Sequence, residues 1–320
     1  MHRIAVIDDF QNVSQRFGDW AGLQSIATVT VFNDHLIDED ALVQRLRSFD
    51  VLCVMHERTP LTRNLLQRLP QLRMIATTGN PNAAIDLEAA QALGITVCGT
   101  ASSVTSAAKL TWALVLALVR NLPAETTSFR QGGWQVSMGG DLHGKTLGVI
   151  GLGYSGSRVA RYGLAFGMRV IAWSQNMTPE FAARHDAIYA SKDELFSASD
   201  IVSIHVRLSD RTRGLVGARE LALMKPRSYL INTARGPIVE EAALLDALQQ
   251  RLIAGAAVDV FDSEPLAADH PFRQLPNFIG TAHIGYVTEG AYELYYGESV
   301  ENIRAWISGQ PIRVMTAEKR

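Results

Sequence analysis

The stretch Lys145-Thr-Leu-Gly-Val-Ile-Gly-Leu-Gly-Tyr-Ser-Gly156 decides how the rest of this 320-residue chain is interpreted. Its apolar residues at 147–150 are typical of a buried strand, and residues 159–164 place apolar side chains on one face of a helix. Three glycines with G-x-G-x-x-G spacing lie between the strand and the helix. A glycine triplet alone is weak evidence, but between a strand and a helix it is typical of a dinucleotide-binding motif.

Each glycine of this motif has its own physical role. Gly151 permits a tight turn, Gly153 lets the backbone approach a pyrophosphate, and Gly156 lets the helix pack closely on the strand. The free N–H groups at the start of the helix then face the anion. The sequence therefore predicts that this segment cradles the phosphates of a nucleotide.

Composition limits the classes of function that remain. The chain has 30 Lys and Arg against 32 Asp and Glu, so it offers no basic surface to nucleic acid or to a membrane. Cys53 and Cys98 both lie in apolar runs, which favours reduced core thiols over a catalytic thiol. No stretch has the pattern of a signal peptide or of a membrane span. We expect a soluble cytoplasmic protein without a metal site, a nucleic-acid partner or a membrane partner.

Strands alternate with amphipathic helices along the chain, which predicts an α/β fold with parallel sheets covered by helices on both faces. The predicted strands are 4–7, 29–32, 51–55, 74–77, 96–98, 146–150, 169–173, 187–189, 201–205, 229–232, 256–259 and 278–280. A long apolar helix is predicted at 102–120 between the two sets of strands, and a final helix at 288–308. The final helix is placed to return to the first set of strands.

Three side chains with catalytic potential come just after predicted strands. They are Arg235, Glu264 and His283, each at the carboxyl end of a strand, where open α/β sheets hold their ligands. Taken singly, each has an ordinary explanation as a surface charge, a turn acid before a proline, or a loop histidine. Together with a nucleotide-binding motif, they predict an active site.

With these motifs in this order, the chain resembles the D-isomer-specific 2-hydroxyacid dehydrogenases. Other stretches that match the family are Thr77-Thr-Gly79, Ala84-Ile-Asp-Leu87, Gly133-Trp134, Asp200-Ile-Val-Ser-Ile-His205, Arg213-Gly-Leu215, Leu223-Met-Lys-Pro226 and Val300-Glu-Asn-Ile303. The resemblance implies two doubly wound parallel-sheet domains. A Rossmann NAD(P)-binding domain, residues 102–286, would be inserted into a flavodoxin-like substrate-binding domain, residues 1–101 and 287–320. It also implies a homodimer joined through the nucleotide domains.

The resemblance further implies an oxidoreductase that transfers a hydride between a nicotinamide cofactor and a small D-2-hydroxy acid or 2-keto acid. His283 would be the acid/base, Glu264 would fix its tautomer and favour its protonated form, and Arg235 would clamp the substrate carboxylate. Backbone N–H groups around Gly79 and Asn80 would take the other side of that carboxylate. Cofactor contacts are implied at Gly151, Gly153, Tyr154, Ser155, Gly156, Ser174, His205, Thr233 and Asp259, the last near the nicotinamide carboxamide.

The cofactor is less well defined by the sequence. The strand ends at Ser174, 18 residues after Gly156, where many NAD-preferring members carry an aspartate for the ribose hydroxyls. Ser174 does not repel a 2′-phosphate, yet Gln175 and Asn176 supply no arginine to bind one. The choice between NAD(H) and NADP(H) stays open, with NAD(H) slightly favoured by its frequency in the family.

The substrate side group is expected to be recognised by loops of the N-terminal unit. Arg58, which follows the third strand, is interpreted either as a contact at the active-site mouth or as a solvated arginine. Tyr286, close to His283, is a candidate wall of the substrate site. Lys109 stands where the family usually has a glutamate, and an exposed helix lysine explains it as well as a role near the cleft does.

Two alternative functions are compatible with the sequence. Phosphite dehydrogenases keep the same Arg, Glu and His set, so an inorganic substrate is an alternative within the same fold. Some relatives act as non-catalytic, nucleotide-sensing corepressors. Turnover with either nicotinamide cofactor would distinguish an enzyme from such a sensor.

Overall fold

The computed structural model describes residues 1–80, 82–103 and 105–317. Its strands are β1 (His2–Val6), β2 (Ala27–Val31), β3 (Val51–Val54), β4 (Met74–Thr77), β5 (Thr96–Gly99), β6 (Thr146–Ile150), β7 (Arg169–Trp173), β8 (Ile188–Tyr189), β9 (Ile201–Ile204), β10 (Tyr229–Asn232), β11 (Gly255–Val258) and β12 (Phe278–Gly280). Its α-helices are α1 (Glu39–Leu46), α2 (Arg63–Gln67), α3 (Leu87–Ala92), α4 (Ser106–Val119), α5 (Leu122–Arg130), α6 (Tyr154–Ala165), α7 (Pro179–Ala183), α8 (Lys192–Ala198), α9 (Ala218–Leu223), α10 (Glu241–Gln249) and α11 (Glu289–Ile307).

The chain divides into two compact units, one made of Met1–Ser103 with Val287–Arg320 and the other of Val104–Tyr286. In the described part of the first unit, the strands form a parallel sheet with the order β2-β1-β3-β4-β5. This is the flavodoxin-like order of a doubly wound sheet. Helix α11 packs against β4 and β5, and the Asn302 side chain donates a hydrogen bond to the Gly99 carbonyl at 2.9 Å. The C-terminal helix therefore completes the unit that the N-terminus begins.

The second unit is built on a longer parallel sheet. In its described residues the strand order is β12-β11-β10-β9-β6-β7-β8, with every pair parallel. From β8 to β11 this is the 3-2-1-4-5-6 order of the Rossmann fold, extended by β12. The order reverses between β6 and β9, so the cleft that binds ligands is expected at the carboxyl ends of these strands. The predicted α/β fold with two parallel sheets is confirmed.

Side chains along each strand of the second unit point alternately to the two faces of the sheet, and each face is covered by an apolar core. Leu147 and Val149 on β6 belong to one core together with Trp112 of α4 and Val159 of α6. Ile150 faces the opposite core, which includes residues of α8, α9 and α10. Burial of both faces explains why the strands are nearly continuous apolar runs rather than alternating ones.

The long helix predicted at 102–120 is shorter in the structure. Helix α4 begins at Ser106, so the prediction was wrong for residues 102, 103 and 105, while residue 104 lies outside the described residues. The Ala101 N–H donates to the Glu298 carboxylate at 2.7 Å, and the Ser103 N–H donates to the Tyr295 hydroxyl at 3.1 Å. Because α11 supplies these acceptors, the backbone at 101–103 is satisfied without a helix.

Both cysteines lie in surroundings that disfavour a thiolate. Cys53 and Cys98 are both buried and free, and burial raises the pKa of Cys53 to about 12 and that of Cys98 to about 11. Within the described residues, no helix combines the length and apolarity needed to cross a membrane. In the same part of the chain, no group of three His, Cys, Asp or Glu side chains is arranged to hold a metal ion.

Candidate active site and nucleotide cleft

The turn after β6 has the geometry that its glycines require. Gly151 has a φ of 92°, a conformation that side chains with a Cβ rarely adopt. A Cβ on Gly156 would lie 1.8 Å from the Gly151 carbonyl oxygen, so only glycine lets α6 approach the turn. Gly153 caps α6, whose first turn carries the N–H groups of Tyr154 and Ser155. N–H groups at the start of a helix are suited to bind an anion.

A cleft of about 430 Å³ opens beside this turn, at the carboxyl ends of β6, β7 and β9. Gly153 lines it, and a Cβ built on Gly153 would meet no atom within 4 Å. The backbone at this point therefore faces open space, as the close approach of a pyrophosphate requires. Ser174, at the end of β7, lines the same cleft. The residues present thus fit a dinucleotide.

His205 and Thr233 occupy the strand ends next to this turn. His205 lines the cleft, and its Nε2 lies 2.7 Å from the Ser203 hydroxyl. Burial lowers the pKa of His205 to about 4, so the ring is neutral near pH 7. The Thr233 hydroxyl lies 2.8 Å from the Thr111 hydroxyl on α4. His205 therefore presents an uncharged polar surface to the cleft, whereas Thr233 links the end of β10 to a helix.

His283 and Glu264 form a direct pair. The Nδ1 atom of His283 lies 2.7 Å from Oε2 of Glu264, and both side chains are only partly exposed. The other carboxylate oxygen of Glu264 accepts the Phe261 N–H at 2.9 Å, which holds the carboxylate in place. His283 itself has a φ of 52°, in the left-handed region, and its N–H donates to the Thr281 carbonyl at 3.0 Å. This tight turn directs the ring toward the carboxylate.

The loop that carries His283 is fastened by Asp259. One carboxylate oxygen accepts the Thr281 hydroxyl at 2.5 Å and the Ile284 N–H at 2.9 Å, and the other accepts the Gly285 N–H at 2.8 Å. Burial raises the pKa of Asp259, while these hydrogen bonds and the charge of His283 act in the opposite direction. The carboxylate is thus directed at the histidine loop, a contact that the sequence did not predict for this residue.

Arg235 lies at the same edge of the sheet. It follows β10, which pairs in parallel with β11, and β11 pairs in parallel with β12. The side chain of Asn232 donates to the Arg235 carbonyl at 3.0 Å and accepts the Ala234 N–H at 3.0 Å, so the loop is braced from within. One guanidinium nitrogen donates to the Ala234 carbonyl at 2.6 Å. Because the three strands are parallel neighbours, the loops bearing Arg235, Glu264 and His283 emerge on one edge.

Comparison with known proteins assigns this unit to a family. Residues 112–285 match the model of the NAD binding domain of D-isomer specific 2-hydroxyacid dehydrogenases. The chain belongs to this dehydrogenase family. It is accordingly an oxidoreductase of the D-2-hydroxyacid dehydrogenase class, as the sequence predicted.

Two curated relatives and one solved structure show how far the similarity extends. A glyoxylate reductase of Aeropyrum pernix is 38% identical over 282 residues, which cover 85% of this chain and 84% of that protein. A D-3-phosphoglycerate dehydrogenase of Methanocaldococcus jannaschii is 37% identical over 86% of this chain, but the match covers only 53% of that longer protein. A crystal structure of a phosphoglycerate oxidoreductase from Vibrio cholerae o395 superposes with a TM-score of 0.92, at 38% identity, over 97% of this chain and 100% of that chain.

Tyr286, a candidate wall of the substrate site, lies in the same unit as His283 and Glu264. Its ring packs edge-on against that of His283, with the centroids 5.9 Å apart. Lys109 is exposed on α4, as the simpler of its two interpretations requires.

The other substrate candidates lie in the first unit of this dehydrogenase. Gly79 has a φ of 79°, and its N–H already donates to the Thr100 hydroxyl at 2.8 Å. Arg58 places its guanidinium 4.8 Å from the centre of the Phe10 ring, a cation–π contact.

Two arginines of the nucleotide cleft were not predicted from the sequence. Arg207 and Arg211 follow β9 and line the cleft that also includes Ser174. Their position directly after a strand next to β6 was a usable signal, because parallel neighbours end at the same edge. The sequence did not show which of the charged side chains in this loop reaches the end of β7.

Proposed function

We propose that this protein catalyses hydride transfer between a nicotinamide dinucleotide and a small D-2-hydroxy acid or the corresponding 2-keto acid. The observation that carries the proposal is the 2.7 Å contact between His283 and Glu264, on the sheet edge that also bears Arg235. An assay of 2-keto acids with either reduced cofactor tests it. Cofactor oxidation that depends on the keto acid is expected, and a nucleotide-sensing protein would show none.

The acid/base role follows from which nitrogen of His283 faces the carboxylate. Because Nδ1 donates its proton to Glu264, the ring is held in one tautomer and Nε2 is left to exchange a proton with substrate. In reduction, the carbonyl oxygen gains the electron pair of the broken π bond and takes the proton from Nε2. In oxidation, Nε2 removes the proton of the substrate hydroxyl. Glu264 stabilises the protonated ring in both directions.

Arg235 is proposed to anchor the substrate carboxylate. A guanidinium is a rigid fork of donors that matches the two oxygens of a carboxylate. The bond from one guanidinium nitrogen to the Ala234 carbonyl fixes the orientation of the fork while leaving other N–H groups for the substrate. A donor close to the carbonyl oxygen would also stabilise the negative charge that develops there. Asp259, which holds the histidine loop, is proposed as a positioning residue as well as a neighbour of the nicotinamide.

The cofactor is proposed to occupy the nucleotide cleft. Gly151, Gly153 and Gly156 would hold the pyrophosphate together with the N–H groups of Tyr154 and Ser155, and Ser174 would meet the ribose. A bound reduced nicotinamide supplies the hydride. Family frequency alone favours NAD(H), whereas the choice between NAD(H) and NADP(H) in this protein depends on the side chains that line the cleft near Ser174.

The substrate is proposed to be a small 2-keto or 2-hydroxy acid, in line with the names of the relatives, glyoxylate reductase and D-3-phosphoglycerate dehydrogenase. Tyr286 would form one wall beside the acid/base pair. Asn80 and Arg58 of the first unit are proposed as the residues that recognise the carboxylate and the side group.

Replacing Arg235 with lysine is expected to raise the KM for the keto acid and to lower kcat. A single ammonium cannot reproduce two parallel hydrogen bonds, and each lost charge-assisted bond is worth about 1.5–3 kcal/mol. Steady-state kinetics at saturating cofactor measure both constants. Unchanged KM and kcat would remove Arg235 from the anchoring role, and the exposed Arg227, on the opposite edge of the sheet, serves as the matched Arg→Lys control.

We also propose that the protein is a homodimer joined through the second unit. Helix α5 and the segment after it expose a set of large apolar side chains: Leu122, Phe129, Trp134, Val136 and Met138. Such a concentration of apolar surface is typical of an interface between protein chains.

A charge placed in this apolar set is expected to break the dimer. Trp134→Asp should give a monomer by size-exclusion chromatography with light scattering, because an unpaired carboxylate would be buried in the interface. Ile37→Asp, at an exposed apolar residue of the first unit, is the control and should leave the dimer intact. A Trp134→Asp protein that remains dimeric would place the interface elsewhere.

A further inference from the structure

The nucleotide cleft carries an unbalanced positive charge. Among the described residues that line it, Arg207 and Arg211 are cationic and none is Asp or Glu. His205 adds no charge near pH 7, because burial lowers its pKa to about 4. A dinucleotide bound in this cleft therefore meets two guanidinium groups and no carboxylate.

Arg211 reaches the end of β7, where the ribose is expected. One of its guanidinium nitrogens donates to Oδ1 of Asn176 at 3.3 Å, and Asn176 lies two residues beyond Ser174 in the same cleft wall. This contact joins the loop after β9 to the loop after β7. The guanidinium is thereby placed beside the position from which an acidic residue would exclude a 2′-phosphate.

We propose that Arg211, assisted by Arg207, binds the 2′-phosphate of NADP(H), and that the protein binds NADPH more tightly than NADH. The inference rests on the proposed function in that the cleft must hold a nicotinamide dinucleotide. Ser174 does not repel the phosphate, and two arginines supply the donors that the 174–176 segment lacks. Guanidinium groups bind phosphate through bidentate, charge-assisted hydrogen bonds, which NADH cannot form at its ribose.

The competing assignment for these arginines is the pyrophosphate, which NADH and NADPH share. If the arginines bind the pyrophosphate, loss of Arg211 would weaken the binding of both cofactors equally. A 2′-phosphate site instead predicts a loss confined to NADPH. The two assignments are therefore separated by measuring the two cofactors on one variant.

The experiment measures binding rather than turnover, so that it does not depend on the keto acid. Dissociation constants for NADPH, NADH, adenosine 2′,5′-bisphosphate and AMP are determined by calorimetry on the wild-type protein and on Arg211→Ala. The wild type is expected to bind NADPH at least about tenfold more tightly than NADH, and the bisphosphate more tightly than AMP. In Arg211→Ala, the dissociation constant for NADPH should rise by about tenfold or more, and that for NADH should stay within about twofold of the wild-type value. Arg227→Ala, an exposed arginine at the opposite edge of the sheet, should change neither.

A second variant tests the same site from the other wall of the cleft. Ser174→Asp should lower the affinity for NADPH, because the carboxylate repels the 2′-phosphate. It should raise the affinity for NADH through hydrogen bonds to the ribose. The ratio of the two affinities should therefore shift by at least about tenfold. Equal wild-type affinities for the two cofactors, or equal losses in Arg211→Ala, would overturn the inference and leave the proposed function standing. Failure of the wild type to bind either dinucleotide would instead contradict the proposed function.

Discussion

Replacing His283 with alanine is expected to lower kcat by roughly a hundred- to ten-thousand-fold, the usual cost of losing a general acid. The carbonyl oxygen would then have to take its proton from water, without the ring that Glu264 orients at 2.7 Å. Cofactor affinity should stay within about twofold, because the phosphates and the ribose are held by other residues. Steady-state kinetics and a separate cofactor titration measure the two effects.

A second variant distinguishes loss of the acid/base group from distortion of the loop that carries His283. His283 has a φ of 52°, a conformation that asparagine tolerates better than alanine does. His283→Asn should therefore keep the loop while removing the acid/base group, and it should lose as much activity as the alanine variant. His143→Asn, at an exposed histidine that precedes β6, is the matched control and should retain turnover. Near-normal turnover in His283→Asn would contradict the assignment.

The second large effect is expected at Gly153. Gly153→Val should abolish nucleotide binding, because its side chain would project into the open part of the cleft where the pyrophosphate approaches the backbone. A Cβ at this position meets no protein atom within 4 Å, so the fold should survive. Equilibrium dialysis with NADH and NADPH measures binding, and thermal unfolding checks the fold.

Gly290→Val supplies the control for this substitution. Gly290 lies on α11 and also has open space around its Cβ position, but it belongs to the other unit. Its replacement should leave nucleotide binding unchanged. Undiminished binding in Gly153→Val would show that the turn after β6 does not hold the phosphates.

Most of the fold could be predicted because its signals are local. The strands predicted at 74–77, 146–150, 169–173, 229–232 and 278–280 have the bounds found in the structure. All five lie in parallel sheets, and all except the partly exposed edge strand at 278–280 consist mostly of buried residues, so short apolar runs mark them in the sequence. The glycine spacing was equally local, because the tight turn and the close helix packing involve residues a few positions apart.

The features that were missed depend on contacts between distant segments. Helix α4 begins at Ser106 because Glu298 and Tyr295, near the other end of the chain, bind the backbone before it. The contacts of Asp259 with the loop that carries His283 were also not predicted, although the position of Asp259 at the end of a strand was. The contact of Arg211 with Asn176 was not predicted, because it depends on the packing of two loops that are distant in the sequence.

D-2-hydroxyacid dehydrogenase activity is tested most directly by turnover of glyoxylate, hydroxypyruvate, pyruvate and phenylpyruvate, each with NADH and with NADPH. The configuration of every chiral product is then determined. We expect cofactor oxidation that depends on at least one of these 2-keto acids and a product of D configuration. Phosphite with each oxidised cofactor is run in parallel, and no turnover is expected. A protein that binds the dinucleotide but reduces none of the keto acids, that forms the L product, or that turns over phosphite alone would contradict the assignment as a D-2-hydroxyacid dehydrogenase.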